Sequence, residues 1–433
     1  MTPEIIGIIG VVLLLILLAL RVPVGITMLV VGFAGCSYLV GLQGGLARLG
    51  VSPYASATNY GLSAIPLFTL MGLILLESGF GRDLYAAVDT WLGHLRGGMA
   101  MATIGACAAF GAVCGSVTAT TATMASVALP EMDRYEYKPI LSTACVAAGG
   151  TLGILIPPSV ILILYGVLTM EPIGKLLIAG IIPGILQAVL FMLVIYLRVR
   201  RDPTLCCIRP RTTMREKIGS FKNIWVIVLL FIITIGGIYR GVFTPTEAAG
   251  VGAFGALVFS VISRRFERKK LVKALDQSAK ITAMIFLVVI GATVFGYFLA
   301  SAKIPLALSN FIAELEVSRY LVLAIILLMY FVLGWFMEGI AILVLTIPII
   351  YPLIIDLGFN GIWFGVIMIV LINMGLITPP VGICVYITGG IAKNVPMETI
   401  FRGIIPFLLA MFACLIFLIV FPQIVLFLPN LMN

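Results

Sequence analysis

Apolar runs near the ~20 residues needed to cross a bilayer core recur along the whole chain. In order, they predict spans over residues 4–20, 22–41 and 63–80. A long stretch follows, 97–130, whose centre turns to Gly, Ser and Thr ("GAVCGSVTATTATMAS"). That polar centre predicts a re-entrant helical hairpin rather than a crossing. The charged run "EMDRYEYKP" closes it. Next come 139–169, an apolar helix interrupted by "GILIPPS", and a returning span over 172–197. The pattern then starts again: spans over 223–239, 246–263 and 274–299, a second hairpin over 320–351, a second interrupted helix over 361–391 and a last span over 397–428.

Both interrupted helices carry the same device. Gly153 precedes Pro157 and Pro158, and Gly375 precedes Pro379 and Pro380, at a constant offset of 222 residues. Prolines and a glycine there break a helix. A lipid-exposed break would strand backbone carbonyls, so such a break belongs inside a bundle or beside a cavity. Other matches keep the register. "GIIP" recurs at 180 and 403, Pro23 matches Pro245, and Gly72 and Gly115 match Gly291 and Gly334 at an offset of 219. The reading is an all-α polytopic membrane protein written twice. A first repeat covers 1–200, a basic linker 201–222 and a second repeat 223–433.

Composition agrees. Of 433 residues, 62% are hydrophobic and 10% charged, against roughly 25% charged in soluble domains; mean hydropathy is +1.21. The net charge of +9 does not point to nucleic acid, because the excess sits in short loops. Eight Lys/Arg lie within 198–222 and six within 264–273, which marks both stretches as cytoplasmic. The map that follows puts both termini outside. It leaves only Arg48, Lys175, Arg240, Lys303 and Arg319, of 27 Lys/Arg, off the cytoplasmic side. Each half then makes an odd number of crossings, so the repeats are inverted, a hallmark of secondary transporters. The start, Met-Thr-Pro-Glu, lacks a basic leader region and reads as the first span. Eight scattered cysteines without a CxxC predict no disulfide framework and no metal site.

A broken helix offers carbonyls, which suit Na⁺, and helix N-ends, which suit a carboxylate. Ser116, Thr118, Thr120 and Thr121 in the first hairpin tip, and Gly334 and Glu338 in the second, can complete such sites. A lone proline in a membrane helix is usually a kink, and Ser/Thr runs usually bond their own carbonyls. Two breaks in register, each after a hairpin, favour the functional reading. "GVGAFG" at 250–255 lies in an apolar helix and signals helix packing rather than a nucleotide. No phosphate-loop motif provides for ATP drive. The single histidine, His94, falls in a loop, and the spans supply no facing pair of aspartates, so the pattern disfavours an intramembrane hydrolase and no cofactor is expected. A channel would accommodate inverted repeats, but mid-membrane hairpins favour occluded transport. Glu77, Glu247 and Glu338 are the acids nearest membrane depth, each as well placed for capping as for function.

"GGTLGILIPPS" (149–159), "FTPTEAAGVGA" (243–253), "TIPIIYP" (346–352) and "GLITPPVG" (375–382) resemble the large membrane subunit of TRAP (tripartite ATP-independent periplasmic) transporters. The resemblance spans essentially the whole chain. It implies an elevator-type fold, with an outer scaffold holding hairpins and broken helices, and sodium-driven import of a small organic acid across a bacterial inner membrane. It implies two partners, a small four-helix membrane subunit and a periplasmic substrate-binding protein. Carried over by position, one sodium site would use Ser116 with backbone near Gly153, Ile156 and Pro158. The other would use Gly334, Gly375, Thr378 and Val381. Thr118, Thr120, Thr121, Pro157 and Pro379 are the candidates for the anion. Asn373 departs from the acid that many relatives carry before the second break, which leaves carbonyls to make that site. A stand-alone sodium–dicarboxylate symporter of similar architecture is the alternative.

Overall fold

A computed structural model describes residues 2–207, 212–314, 317–393 and 395–432, and the described chain is helical throughout, without a strand. Such a fold satisfies every span's backbone internally. The first repeat comprises α1 (Pro3–Ala19), α2 (Val24–Val40), α3 (Leu42–Ala57), α4 (Ala64–Glu77) and α5 (Phe80–Leu92). The hairpin α6 (Gly98–Cys114) and α7 (Val117–Arg134) follows, then the broken helix α8 (Pro139–Gly150), α9 (Leu152–Leu155) and α10 (Val160–Thr169). It ends with α11 (Ile173–Ala179) and α12 (Ile181–Arg201). The second repeat comprises α13 (Met214–Tyr239), α14 (Pro245–Ile262), α15 (Arg268–Ser301) and α16 (Ile304–Glu314). Its hairpin is α17 (Arg319–Gly334) and α18 (Gly339–Asp356), and its broken helix α19 (Gly361–Gly375) and α20 (Ile383–Ile391). It ends with α21 (Met397–Val420) and α22 (Gln423–Asn430). Seven described helical segments are each long and apolar enough to cross a bilayer, so the chain is a multi-pass membrane protein.

The packing is reciprocal. In the outer layer α2 lies along α15 while α14 lies along α4. Glycines allow the close approach: a Cβ on Gly32 would stand 2.7 Å from the Phe295 backbone nitrogen. In the inner layer α10 packs on α18 and α19, and α20 packs on α7 and α8. The second half of each broken helix thus completes the bundle of the other repeat. Two hydroxyls tie this crossing: Tyr165 donates to the Gly361 carbonyl at 2.6 Å, and Tyr351 donates to Glu171 Oε1 at 2.7 Å.

The structure adds helices where the sequence pattern suggested loops. α3, α5 and α16 are helical, and α13 and α15 begin inside the basic stretches. The reason is local. α5 buries Phe80, Leu84 and Tyr85 on one face and leaves its charges on the other, a short amphipathic stripe rather than a span. α13 starts on a capping box, with the Thr213 hydroxyl accepting from Glu216 N and Glu216 accepting from Thr213 N. The part of the basic linker at 208–211 lies outside the described residues. The single 34-residue α15 occupies the place that α3 and α4 share in the first repeat.

Candidate functional site

The first hairpin turns on Gly115, left-handed at φ 63°, and Ser116, extended at φ −133°. The Ser116 hydroxyl caps α7 by accepting from Ala119 N and hydrogen-bonds with Thr118 Oγ1 at 3.2 Å. Facing this tip is the first break. Pro157 and Pro158 have no N–H to give the Gly153 and Ile154 carbonyls, so the helix ends there. Ser159 starts the next half by accepting from Leu162 N at 3.2 Å. Tip and break touch through backbone. A Cβ on Gly111 would lie 2.7 Å from Gly153 Cα, and one on Gly153 would lie 2.9 Å from the Ser116 carbonyl oxygen. The Pro158 carbonyl presses on Gly115. Ser116, Gly153 and Pro158 therefore meet at one point, whereas the Ile156 side chain is buried against Gly184 of α12.

The second tip, between α17 and α18, meets the second break in the same manner. A Cβ on Gly334 would lie 3.0 Å from Gly375 Cα. Contact thus pairs Gly334 with Gly111 rather than with Gly115, the match suggested by sequence. Here the freed carbonyls are bonded locally: Gly375 O accepts from Thr378 N and Leu376 O from Cys384 N, both at 3.1 Å. The Thr378 hydroxyl is buried and donates to Met374 O at 2.6 Å.

Between the two tips lies a cavity of about 160 Å³. Ser116, Thr118 and Glu338 give it polar groups, and Ile154 and Leu376 bring the breaks to its wall. Val117, Val160, Gly339 and Ile383, the first residues of α7, α10, α18 and α20, all line it. Four helix N-termini, each worth about half a positive charge, converge on one space. The outer layer closes it with Thr69 of α4 and Ile281, Met284 and Ile285 of α15. The sequence reading missed this wall. Its one signal was Gly72, one turn from Thr69, where a Cβ would meet Cys114 Cα at 2.8 Å.

Several candidates sit elsewhere. Thr120 and Thr121 are fully buried behind the tip, facing Gly153 and Gly150, and the Thr120 hydroxyl has no hydrogen-bond partner among the described residues. Pro157 is buried, whereas Pro379 and Val381 are exposed and outside the cavity lining. Asn373 is fully buried one turn before the second break, with both amide atoms unpartnered among the described residues. The three acids separate: Glu77 pairs with Lys273 at 2.7 Å, Glu247 closes a capping box with Thr244, and only Glu338 reaches the cavity.

Paired hairpins and broken helices in two inverted repeats, around a cavity roofed by an outer layer, define a helical membrane transporter. The chain belongs to the DctM component family of tripartite ATP-independent periplasmic transporters, which it matches over residues 11–424. It is 36% identical over 404 residues to the C4-dicarboxylate TRAP transporter large permease protein DctM of Pseudomonas aeruginosa, covering 90% of this chain and 93% of that one. It is 31% identical to the sialic acid TRAP transporter large permease protein SiaM of Vibrio cholerae, covering 86% and 87%. It is 32% identical to the isethionate TRAP transporter permease protein DctMQ of Oleidesulfovibrio alaskensis, covering 86% of this chain and 59% of that longer one. The fold is also that of the Alcanivorax borkumensis YdaH transporter, with a TM-score of 0.62 at 15% identity over 88% of this chain. The chain is accordingly a transport protein and not an enzyme.

Proposed function

We propose that the chain is the sodium-coupled permease subunit that moves a small organic acid anion across a bacterial inner membrane. The observation that carries this reading is the convergence of four helix N-termini on one cavity. That field favours a carboxylate or sulfonate, and the named relatives handle dicarboxylates, sialic acid and isethionate. Sodium would sit where each tip meets its break: at Ser116, Gly153, Ile156 and Pro158, and at Gly334, Gly375, Thr378 and Val381. One net charge moving inward through 100 mV releases ~2.3 kcal/mol, so a few sodium ions per anion would drive accumulation. The inner layer would carry the cavity past the outer layer as an elevator. Thr118 and Ser116 would contact the anion.

The orientation proposed places the basic ends inside and both termini outside. Asp83 pairs with Arg265, Glu77 pairs with Lys273, and Lys217 lies over the Trp91 ring, so the two basic stretches share one end of the molecule. A small four-helix membrane subunit and a periplasmic binding protein would complete the system. The test is uptake into proteoliposomes. The chain alone should be inactive at micromolar anion, and adding both partners with an inward sodium gradient should start uptake. Uptake by the chain alone would establish the stand-alone symporter instead, and uptake indifferent to sodium would refute the coupling.

A further inference from the structure

A second cleft, of about 330 Å³, opens where the ends of α17, α19 and α21 meet. Its charged group is Arg319, whose guanidinium lies 5.1 Å from the Tyr320 ring and 5.5 Å from the Phe359 ring, and its other polar side chain, Asn360, caps α19 by accepting from Trp363 N. Phe359 in turn stacks on Trp363 at 5.5 Å. Among the described residues no carboxylate pairs with Arg319; its one polar contact is to Tyr320 Oη at 3.3 Å. α17 and α19 both begin at this cleft and α21 ends at it, so two helix N-termini outweigh one C-terminus and add to the positive field. Leu323, Ile419 and Leu426 line the remainder as an apolar groove.

The internal repeat shows what such a cleft requires. The offset of 222 residues sets Gly97 against Arg319 and Tyr137 against Phe359. In the first repeat this place is filled by the chain itself. A Cβ on Gly97 would meet Ile195 at 2.9 Å, and Tyr137 is buried with its hydroxyl accepting from Met99 N. The chain after α12 folds back over the place, with Lys138 N donating to Leu205 O at 3.0 Å, and Leu205 and Cys206 buried. In the second repeat the segment after α21 covers the place less completely. α22 forms one wall, yet Phe427, the counterpart of Leu205, is 57% exposed. The place is open, and it has gained a cation.

We propose that this cleft binds the headgroup phosphate of one anionic phospholipid, with an acyl chain along the apolar groove. The position is at the ends of apolar helices, where aromatic side chains mark the membrane–water boundary. A planar guanidinium matches a phosphate in two-pronged fashion. Exposed Tyr320, Val420 and Phe421 at the rim suit acyl chains better than water.

The experiment uses the full-length chain in detergent, stripped of lipid, with phosphatidylglycerol, phosphatidylcholine or inorganic phosphate added and bound lipid counted by native mass spectrometry. The wild type should hold one phosphatidylglycerol per chain in preference to phosphatidylcholine. Arg319→Gln should bind it roughly tenfold more weakly, the loss expected for one charge-assisted contact. Unfolding temperatures without added lipid should match, since Arg319 is exposed. Equal retention of phosphatidylglycerol by wild type and Arg319→Gln would overturn the proposal. So would displacement by millimolar inorganic phosphate, which would mean a free-anion site, or loss of binding-protein capture in the variant with lipid retention intact, which would mean a protein interface.

Discussion

Gly375 and Gly334 meet backbone against backbone: a Cβ added to Gly375 would lie 2.5 Å from the Gly334 carbonyl oxygen. Gly111 and Gly153 repeat the relationship in the other half. Each contact seats a hairpin tip on a helix break, and a methyl group fits neither without moving main chain. Overpacking of this kind costs about 1–3 kcal/mol, enough to unseat the tip. Gly375→Ala and Gly153→Ala should reach the membrane at wild-type levels and lose most uptake. Gly50→Ala, at a position with nothing within 4 Å, should behave as wild type. Immunoblots and uptake measured together test this, and Gly375→Ala as active as Gly50→Ala would show that the contact is incidental.

The hydroxyls divide into two groups by position. Ser116 and Thr118 line the cavity, whereas Thr121 faces Gly150 behind the tip. Thr118→Val should raise the anion concentration for half-maximal uptake several-fold, while Thr121→Val leaves it unchanged. Ser116→Ala and Thr378→Ala each remove one oxygen and keep the backbone path, so uptake should need more sodium rather than vanish. Ser116→Ala also loses a helix cap worth ~1 kcal/mol, which a thermal midpoint separates from the sodium effect. Titrations of sodium and anion on all four variants check the division. Equal effects of Thr118→Val and Thr121→Val would refute it.

Much of this was legible because proline and glycine act locally. The breaks at Pro157 and Pro379, and the tip at Gly115 and Ser116, follow from what those residues do to a helix wherever they stand. The 222-residue register extended the reading to the second half. What stayed hidden depends on partners far along the chain. Thr120, Thr121 and Thr118 look alike in sequence, and only the packing of α7 on α8 and α20 decides which of them faces the cavity. Asn373 and Thr69 gave no sign of being, respectively, an unpartnered buried amide and part of the cavity wall. The amphipathic α5 was masked by its charges, which read as loop.

Glu77 is held by Lys273 at 2.7 Å, with the carboxylate 15% exposed and the ammonium 59% exposed. The pair joins α4 to α15, two helices of the outer layer, and lies away from the cavity. A partly exposed pair of this type contributes up to about 1 kcal/mol. Glu77→Gln should lower the unfolding temperature slightly and leave the sodium and anion dependences of uptake unchanged. A shift in sodium dependence without a loss of stability would instead make Glu77 part of the coupling machinery.

Cys206 and Cys207 offer a direct reading of orientation. They are adjacent in sequence, but Cys206 is buried and Cys207 exposed, as the other six cysteines are buried. Burial also pushes the Cys206 thiol pKa up, which leaves less of the reactive thiolate near neutral pH. A membrane-impermeant maleimide should therefore attach once per chain, at Cys207, and only from the face that carries the basic loops. Under the orientation proposed here, intact cells should show no labelling, and inside-out vesicles should show one label per chain. Cys207→Ser should abolish it, while Cys206→Ser should not. Labelling of Cys207 on intact cells would turn the molecule over in the membrane and exchange the faces assigned to the two hairpins. Their contacts with the breaks would stand.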